Sequence, residues 1–258
     1  MTVQAVADLL YDAHATRRPI DPLSKTPGLE LSVADAYQVQ LINVERRLKT
    51  GRRIVGCKVG LTSVAMQRML GVDQPDFGHI LDDMVLHNGG RCATNDLIAP
   101  RVEPEIAFVL ARALNGPGVT RADVLAATEY VTPALEIIDT RIKDWKIALV
   151  DTIADNASSA RIVLGDQKTS PRDCDLRLVG MILEKNGQLT ETGAGAAALG
   201  HPAEAVAWLV NKLGEFGQQV AAGSIVMPGA LCRAIEVAAG DSVTATYDRL
   251  GSVQVSFV

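Results

Sequence analysis

RVEPEIAFVL, residues 101–110, reads as one β-strand that carries two acids among core residues. Side chains alternate along a strand, so Val102, Pro104, Ile106, Phe108 and Leu110 share one face. Glu103, Glu105, Ala107 and Val109 share the other. Two like charges on a half-buried face repel each other and resist leaving water unless a cation or hydrogen-bond donors neutralise them. A divalent metal is the simplest neutralising partner, because hard cations take carboxylate oxygens. A solvated edge strand bearing two harmless acids is the alternative, and Pro104 would suit an edge.

TPALEIIDT, residues 132–140, supplies a second strand with a third acid. Glu136 shares a face with Ala134 and Ile138, and apolar neighbours again flank it. If the two strands meet, Glu103, Glu105 and Glu136 form a three-carboxylate cluster. Such a cluster leaves open positions on an octahedral ion such as Mg²⁺ or Mn²⁺ for a chelating substrate.

Outward from these strands the pattern divides unevenly. Residues 3–18 and VADAYQVQLINVERRLKTG (33–51) carry helical spacing; Ser32 caps the second helix and the turn-rich PIDPLSKTPG lies between the two. RIVGCKVGL (53–61) reads as a strand, TSVAMQRMLG (62–71) as a short helix capped by Thr62 or Ser63, and VDQPDFGHI (72–80) as a loop. A short strand near 84–86 precedes a turn at Asn88–Gly90. VTRADVLAATEYV (119–131) is expected to be an amphipathic helix opened by Thr120, and WKIALVDTIADNASS (145–159) a mixed segment. From residue 161 the reading is mainly β, with a hairpin at Asn186–Gly187, one helix over 201–217 and three closing strands. The sum is an α+β chain: a helical region over 1–52 packed on a β-rich unit over 53–258, with no linker or repeat dividing it.

Composition narrows the function classes. Apolar residues make up 48% and charged residues 21%, as in ordinary globular proteins, and the net charge of −5 argues against nucleic acid or anionic membrane as the main partner. No apolar run approaches the roughly 20 residues of a membrane span. Cys57, Cys92, Cys174 and Cys232 show no CxxC pairing. Reduced thiols and a cytoplasmic location are therefore expected. There is no GxGxxG after a strand, no P-loop, no HExxH and no GxSxG elbow.

Several polar residues remain candidates for chemistry. Lys58 sits among Val55, Val59 and Leu61; it either snorkels to the surface or stays partly buried and able to transfer a proton. Asp76 in DQPDFG reads as a turn residue on its own evidence, and Asp155, Asn156, Ser158 and Ser159 as a dense donor and acceptor cluster. Arg141 and Lys143 could bind a substrate carboxylate or simply pair with Asp139 or Asp144.

GCKVGLTS (56–63), GVDQPDFG (71–78), RVEPEIAFVL, PALEIIDTRIKDW (133–145), DTIADNASS (151–159), LGHP (199–202) and RLGSVQVSF (249–257) together resemble the 2-hydroxypenta-2,4-dienoate hydratases. These belong to the fumarylacetoacetate hydrolase superfamily, and the resemblance runs colinearly over nearly the whole chain. It implies a mixed β-roll core with helices outside, a divalent metal (Mg²⁺ or Mn²⁺) and a small 2-oxo or 2-hydroxydienoic acid as substrate. Glu103, Glu105 and Glu136 fall on the metal-ligand positions, Lys58 and Asp76 on the acid–base positions, and Ser158 on a substrate-contacting position. Thr62, Ser63, Asn156 and Arg141 are the further substrate-binding candidates. A homo-oligomer is expected, with association with a neighbouring pathway enzyme as an extension of it. The 4-oxalocrotonate decarboxylases of the same superfamily are the main rival; GCKVGLTS, QPDFG and DTRIKDW favour the hydratase. A carbon–carbon hydrolase would need a histidine–acid pair, for which only His79 near Asp76 offers material. A catalytically silent partner subunit is disfavoured by the presence of Glu103, Glu105, Glu136 and Lys58.

Overall fold

The computed structural model describes residues 1–63, 67, 72 and 74–258. The helix expected over 62–71 lies largely outside the described residues.

Two helices open the chain, α1 (Val3–Thr16) and α2 (Val33–Lys49). The hydroxyl of Thr2 accepts from the Ala5 N–H at the start of α1, and Arg17, at φ 56°, closes it in the left-handed region. Ser32 and Asp35 form a capping box at the start of α2, a device worth about 1 kcal/mol of helix stability. Val6, Ala7, Leu10 and Ala13 of α1 and Ala36, Tyr37, Val39 and Val44 of α2 are the faces they bury.

The strands are β1 (Ile54–Gly60), β2 (Asp76–Leu81), β3 (Val85–His87), β4 (Gly90–Cys92), β5 (Arg101–Leu110), β6 (Thr128–Ile138), β7 (Ser159–Leu164), β8 (Gly180–Lys185), β9 (Gln188–Ala194), β10 (Ile225–Met227), β11 (Ile235–Glu236), β12 (Ser242–Tyr247) and β13 (Gly251–Phe257). Among the described residues three more helices interrupt them: α3 (Arg121–Ala127), α4 (Leu149–Ala154) and α5 (Pro202–Glu215). The larger sheet runs β2-β1-β10-β5-β6-β7-β3, with β11 pairing the start of β5; the smaller runs β4-β13-β12-β8-β9. The larger sheet is mixed: β10 runs parallel to β1 and β3 parallel to β7, while its other pairs are antiparallel. This is the mixed β core with a helical N-terminal layer expected from the sequence.

β5 and β6 are the longest strands and lie at the centre of the larger sheet. Val102, Ile106, Phe108 and Leu110 enter the main core, whereas Ala107 and Ala134 join Ile80, Ile162 and Met227 in a smaller apolar cluster. β5 is thus covered on both sides, so it is a central strand and not an edge. Burying each of the larger side chains stabilises the fold by about 1.5–3 kcal/mol. Pro104 is tolerated because the Leu231 N–H bonds to its carbonyl, so β5 still contributes an acceptor there.

Two elements differ from the sequence reading. DFGHIL is a fully buried strand and not a loop; its alternation is masked because Asp76, Gly78 and His79 replace the apolar residues that mark a strand. The helix opened by Thr120 stops at Ala127, and residues 128–131 belong to β6. The β-branched Thr128 and Val131, with Tyr130 between them, favour the pleated conformation over another helical turn.

Candidate active site

The register of β5 and β6 sets Glu103 directly opposite Glu136 and Glu105 opposite Ala134, so all three carboxylates project from one face of the larger sheet. One carboxylate oxygen from each lies within 4.8 Å of the others. Like charges directly opposite on a sheet are destabilising, and burial makes the arrangement worse. Burial pushes the Glu103 carboxyl up to about 7, with Glu136 adding to the effect and Lys58 opposing it. Glu105 and Glu136 are raised as well, first by burial; Glu136 adds to the shift at Glu105, while Lys58 opposes the shift at Glu136.

Protein donors satisfy only part of this demand. The Gly229 N–H donates to Glu105 Oε2 at 2.8 Å, and the Ser159 hydroxyl to Glu136 Oε1 at 3.0 Å. Gly229 adopts φ 112°, and a Cβ there would fall 2.0 Å from Thr62 Oγ1, so only glycine can bring this amide to the carboxylate. Among the described residues, Glu105 Oε1 is buried with no hydrogen-bond partner, and Glu136 Oε2 has only the Lys58 ammonium near it. Three carboxylates with free acceptor atoms and no thiol or imidazole among them suit a hard divalent cation.

Lys58 comes from β1. Its Nζ donates to the Ala157 carbonyl at 2.8 Å and sits 3.3 Å from Glu136 Oε2. Burial pulls the lysine toward neutrality, but Glu136, then Asp76, Glu103 and Glu105, outweigh burial and raise its pKa; it is an ammonium. It is 3% exposed, which rules out snorkelling. Asp76 opens β2 opposite Gly60. A Cβ on Gly60 would lie 2.1 Å from Asp76 Oδ1 and 3.4 Å from Lys58 Nζ, so this glycine makes the space in which the two groups approach. Thr152 of α4 donates to Asp76 Oδ2 at 2.9 Å, while Oδ1 has no partner among the described residues. Burial raises the Asp76 pKa, with Lys58 and Thr152 opposing it.

The turn after α4 completes the wall. Asn156, Ala157 and Ser158 all have φ between 50° and 55°. Three successive non-glycine residues in the left-handed region are costly, and such strain is held in place only by its surroundings. Here the turn aims the Ala157 carbonyl at Lys58 and leaves the buried Ser158 hydroxyl without a partner among the described residues. Lys58, Asp76, Glu103, Thr62, Ser63 and Ser158 line one cavity of about 640 Å³.

Two of the sequence candidates lie elsewhere. Asn156 spends its amide on strand β2, donating to the His79 carbonyl and accepting from the His79 N–H at 2.9 and 2.8 Å. Arg141 lines a separate, smaller cavity beneath α1 and α2 and forms a buried ion pair with Asp155. That pairing removes Arg141 as a substrate cation; its partner was not Asp139 or Asp144, the neighbours its sequence context suggests. His79 also turns away: its ring contacts Phe77 and Gln40, and burial lowers its pKa to about 4. The cavity further includes Arg101, Trp145, Thr152 and Arg233, which the sequence reading missed. Of these, Arg101 had a visible signal, because it shares strand parity with Glu103 and Glu105.

The fold and the carboxylate cavity define a class, and comparison with known proteins supplies the family. Residues 75–258 match the model of the fumarylacetoacetate (FAA) hydrolase C-terminal family, and the chain belongs to that family. It is 55% identical over 216 residues to a 2-hydroxypent-2,4-dienoate hydratase of Pseudomonas putida, covering 83% of this chain and 97% of that one. A 2-keto-4-pentenoate hydratase of Paraburkholderia xenovorans (strain LB400) is 46% identical over 254 residues, covering 98% and 94%. Among solved structures, the 4-oxalocrotonate decarboxylase from Pseudomonas putida G7, complexed with magnesium and adipate, superposes with a TM-score of 0.94 at 40% identity, covering 99% of this chain and 97% of that one. Among the described residues, no helix is long and apolar enough to cross a membrane.

Proposed function

We propose that this chain is a metal-dependent hydratase that adds water to 2-hydroxypenta-2,4-dienoate to give 4-hydroxy-2-oxopentanoate. The observation that carries the reading is the carboxylate cluster, with Glu105 and Glu136 buried and Glu103 reaching the cavity that Lys58 and Asp76 also line. Glu103, Glu105 and Glu136 would hold Mg²⁺, or Mn²⁺ in its place, which when bound supplies positive charge and open coordination positions for the carboxylate and C2 oxygen of a 2-oxo acid.

The remaining chemistry belongs to the side chains. Ketonisation removes the proton of the 2-hydroxyl and delivers one to C5, which leaves the C3–C4 double bond conjugated with the C2 carbonyl. Water then adds at C4 and C3 takes a proton. Lys58 holds a transferable proton at Nζ, and Asp76 Oδ1 is free to accept one, so the pair stands where these transfers are needed. Ser158 offers an unpaired hydroxyl to the substrate, and Thr62 and Ser63 add polar wall. The apolar remainder of the cavity, including Ile138, Ile147 and Leu231, limits water around the reacting carbons.

The helices before residue 53 belong, in this reading, to the same unit as the β-rich part, since α2 reaches the site-bearing strand through Gln40, which bonds to the Phe77 carbonyl. Four unpaired cysteines fit a reducing, cytoplasmic setting. The second reading is 4-oxalocrotonate decarboxylation, favoured by the structural likeness to a decarboxylase; the higher identity to a hydratase places it second. Purified chain given Mg²⁺ and each substrate in turn decides between them. The account expects 4-hydroxy-2-oxopentanoate from the dienol and no carbon dioxide from 4-oxalocrotonate; carbon dioxide release without hydration would overturn it.

A further inference from the structure

Behind Asp76 a single side chain joins three elements. Gln40 of α2 is 1% exposed. Its Nε2 donates to the Phe77 carbonyl at 2.9 Å and to the Ile153 carbonyl at 2.8 Å, which uses both N–H groups of the amide. Its Oε1 lies 3.1 Å from Nδ1 of His79; an amide oxygen can only accept, so His79 carries its proton on Nδ1. Phe77 follows Asp76 on β2, and Ile153 follows Thr152 on α4. Ile153 also lies in the last turn of α4, where a helix carbonyl has no partner within the helix. Thr152 in turn donates to Asp76 Oδ2 at 2.9 Å. Gln40, Phe77, Asp76, Thr152 and Ile153 therefore close a ring of hydrogen bonds and backbone. Pairing two buried carbonyls would explain a glutamine anywhere in a core. These two carbonyls each stand one residue from a member of the Asp76–Thr152 pair, which ties the amide to the proton-transfer residue.

We propose that Gln40 is a positioning residue for Asp76, acting through Thr152. The inference rests on the preceding section, in which Asp76 accepts a proton during the reaction. With the ring closed, Thr152 holds Asp76 Oδ2, and Oδ1 is the oxygen left for chemistry beside Gly60 and Lys58. Without the Gln40 amide, β2 and the end of α4 lose the group that fixes their spacing, and Asp76 loses its set orientation. A misplacement of about 1 Å in a reacting group costs roughly 10²-fold in rate. Strand β1 still pairs with β2, so the expected loss here is smaller, about tenfold. In this way the helical layer contributes to the chemistry without touching substrate.

The test follows exchange of the C3 protons of 2-oxopentanoate in deuterated water by proton NMR, with the Mg²⁺-loaded protein. In that partial reaction a C3 proton passes to the Asp76 carboxylate, the C–H electron pair moves into the C2–C3 bond and the C2 oxygen takes the charge. A deuteron then returns to C3, so no water is added and no carbon dioxide is lost. Gln40→Met, close in size but without the amide, should lower the saturating exchange rate about tenfold. Half-saturating substrate concentration and Mg²⁺ affinity should stay within about twofold of the parent, because neither the metal ligands nor the binding wall has changed. Thr152→Val should reproduce the loss, and Thr152→Ser, which keeps the hydroxyl, should recover the rate. A full rate in Gln40→Met, or a loss that falls on Mg²⁺ or substrate affinity instead of rate, overturns the proposal. So does a parent that exchanges no C3 protons. A parent that exchanges them, loses that rate in Gln40→Met and yet forms no 4-hydroxy-2-oxopentanoate from the dienol overturns the hydratase reading and keeps the role of Gln40. Should Gln40→Met not fold, the Thr152 variants decide: parental exchange in Thr152→Val, or no recovery in Thr152→Ser, counts against the proposal.

Discussion

Glu136 near the end of strand β6 and Asp139 just beyond it are buried acids within four residues, and their surroundings are opposite. At Asp139 both oxygens are filled, accepting from the Ile98 and Ala99 amides at 3.0 and 2.7 Å. Asp155 is filled too: it accepts from the Arg141 amide at 2.9 Å and the Thr140 hydroxyl at 3.1 Å, and it pairs with the Arg141 guanidinium. At Glu105, by contrast, one oxygen has no hydrogen-bond donor among the described residues, and the free oxygen of Glu136 has only the Lys58 ammonium 3.3 Å away. Glu105, Glu136, Asp139 and Asp155 are all almost fully buried, so burial alone does not mark function. The unmet acceptor marks it, because a fold under no other demand would fill it or remove it.

Breaking each cluster should therefore give different losses. The largest effect is expected at the unfilled one: Glu105→Gln should lower turnover by roughly 10⁴-fold or more, since the bound metal is worth several kcal/mol to the reaction. The metal-free variant should melt no lower than the parent, because a neutral amide is easier to bury than a carboxylate. A lower melting temperature would erase the contrast. At the filled cluster, Arg141→Met should destabilise folding by about 3 kcal/mol or more by stranding Asp155, measured by denaturant unfolding, with Mg²⁺ affinity kept in the folded fraction.

His79 extends the comparison to pH. Its pKa is lowered to about 4 from 6.5 by burial, so the unfolded chain binds a proton that the folded chain refuses. Its contribution to stability is present above pH 6.5 and is lost as pH falls toward 4, by about 3 kcal/mol in all. Denaturant midpoints across that window should fall less steeply in His79→Gln than in the parent. Next in size, Lys58→Met should reduce turnover by roughly 10²-fold, as for a general acid–base group, and Lys58→Arg should not rescue it because a guanidinium keeps its proton. Smallest of all, Cys57→Ala should leave turnover within about tenfold, since the thiol is buried and its pKa is raised to about 12 by burial, too high for thiolate chemistry.

The sequence carried the carboxylate cluster because a two-residue period is a local property: Glu103 and Glu105 share a face in any strand. The resemblance placed Lys58 and Asp76, which local reading assigned to a surface and a turn. What stayed hidden was the long-range pairing. Arg141 meets Asp155 fourteen positions later through the bend after β6, a partner that local charge patterning does not point to. DFGHIL was hidden for the opposite reason, since a strand carrying an aspartate, a glycine and a histidine loses the apolar alternation that announces it.

Whether three glutamates on two strands hold one divalent ion can be read by titration calorimetry of Mn²⁺ and Mg²⁺ into metal-free protein. One ion should bind per chain, and Glu136→Gln should weaken binding at least about tenfold with the fold intact by circular dichroism. Wild-type affinity in Glu136→Gln would contradict the claim.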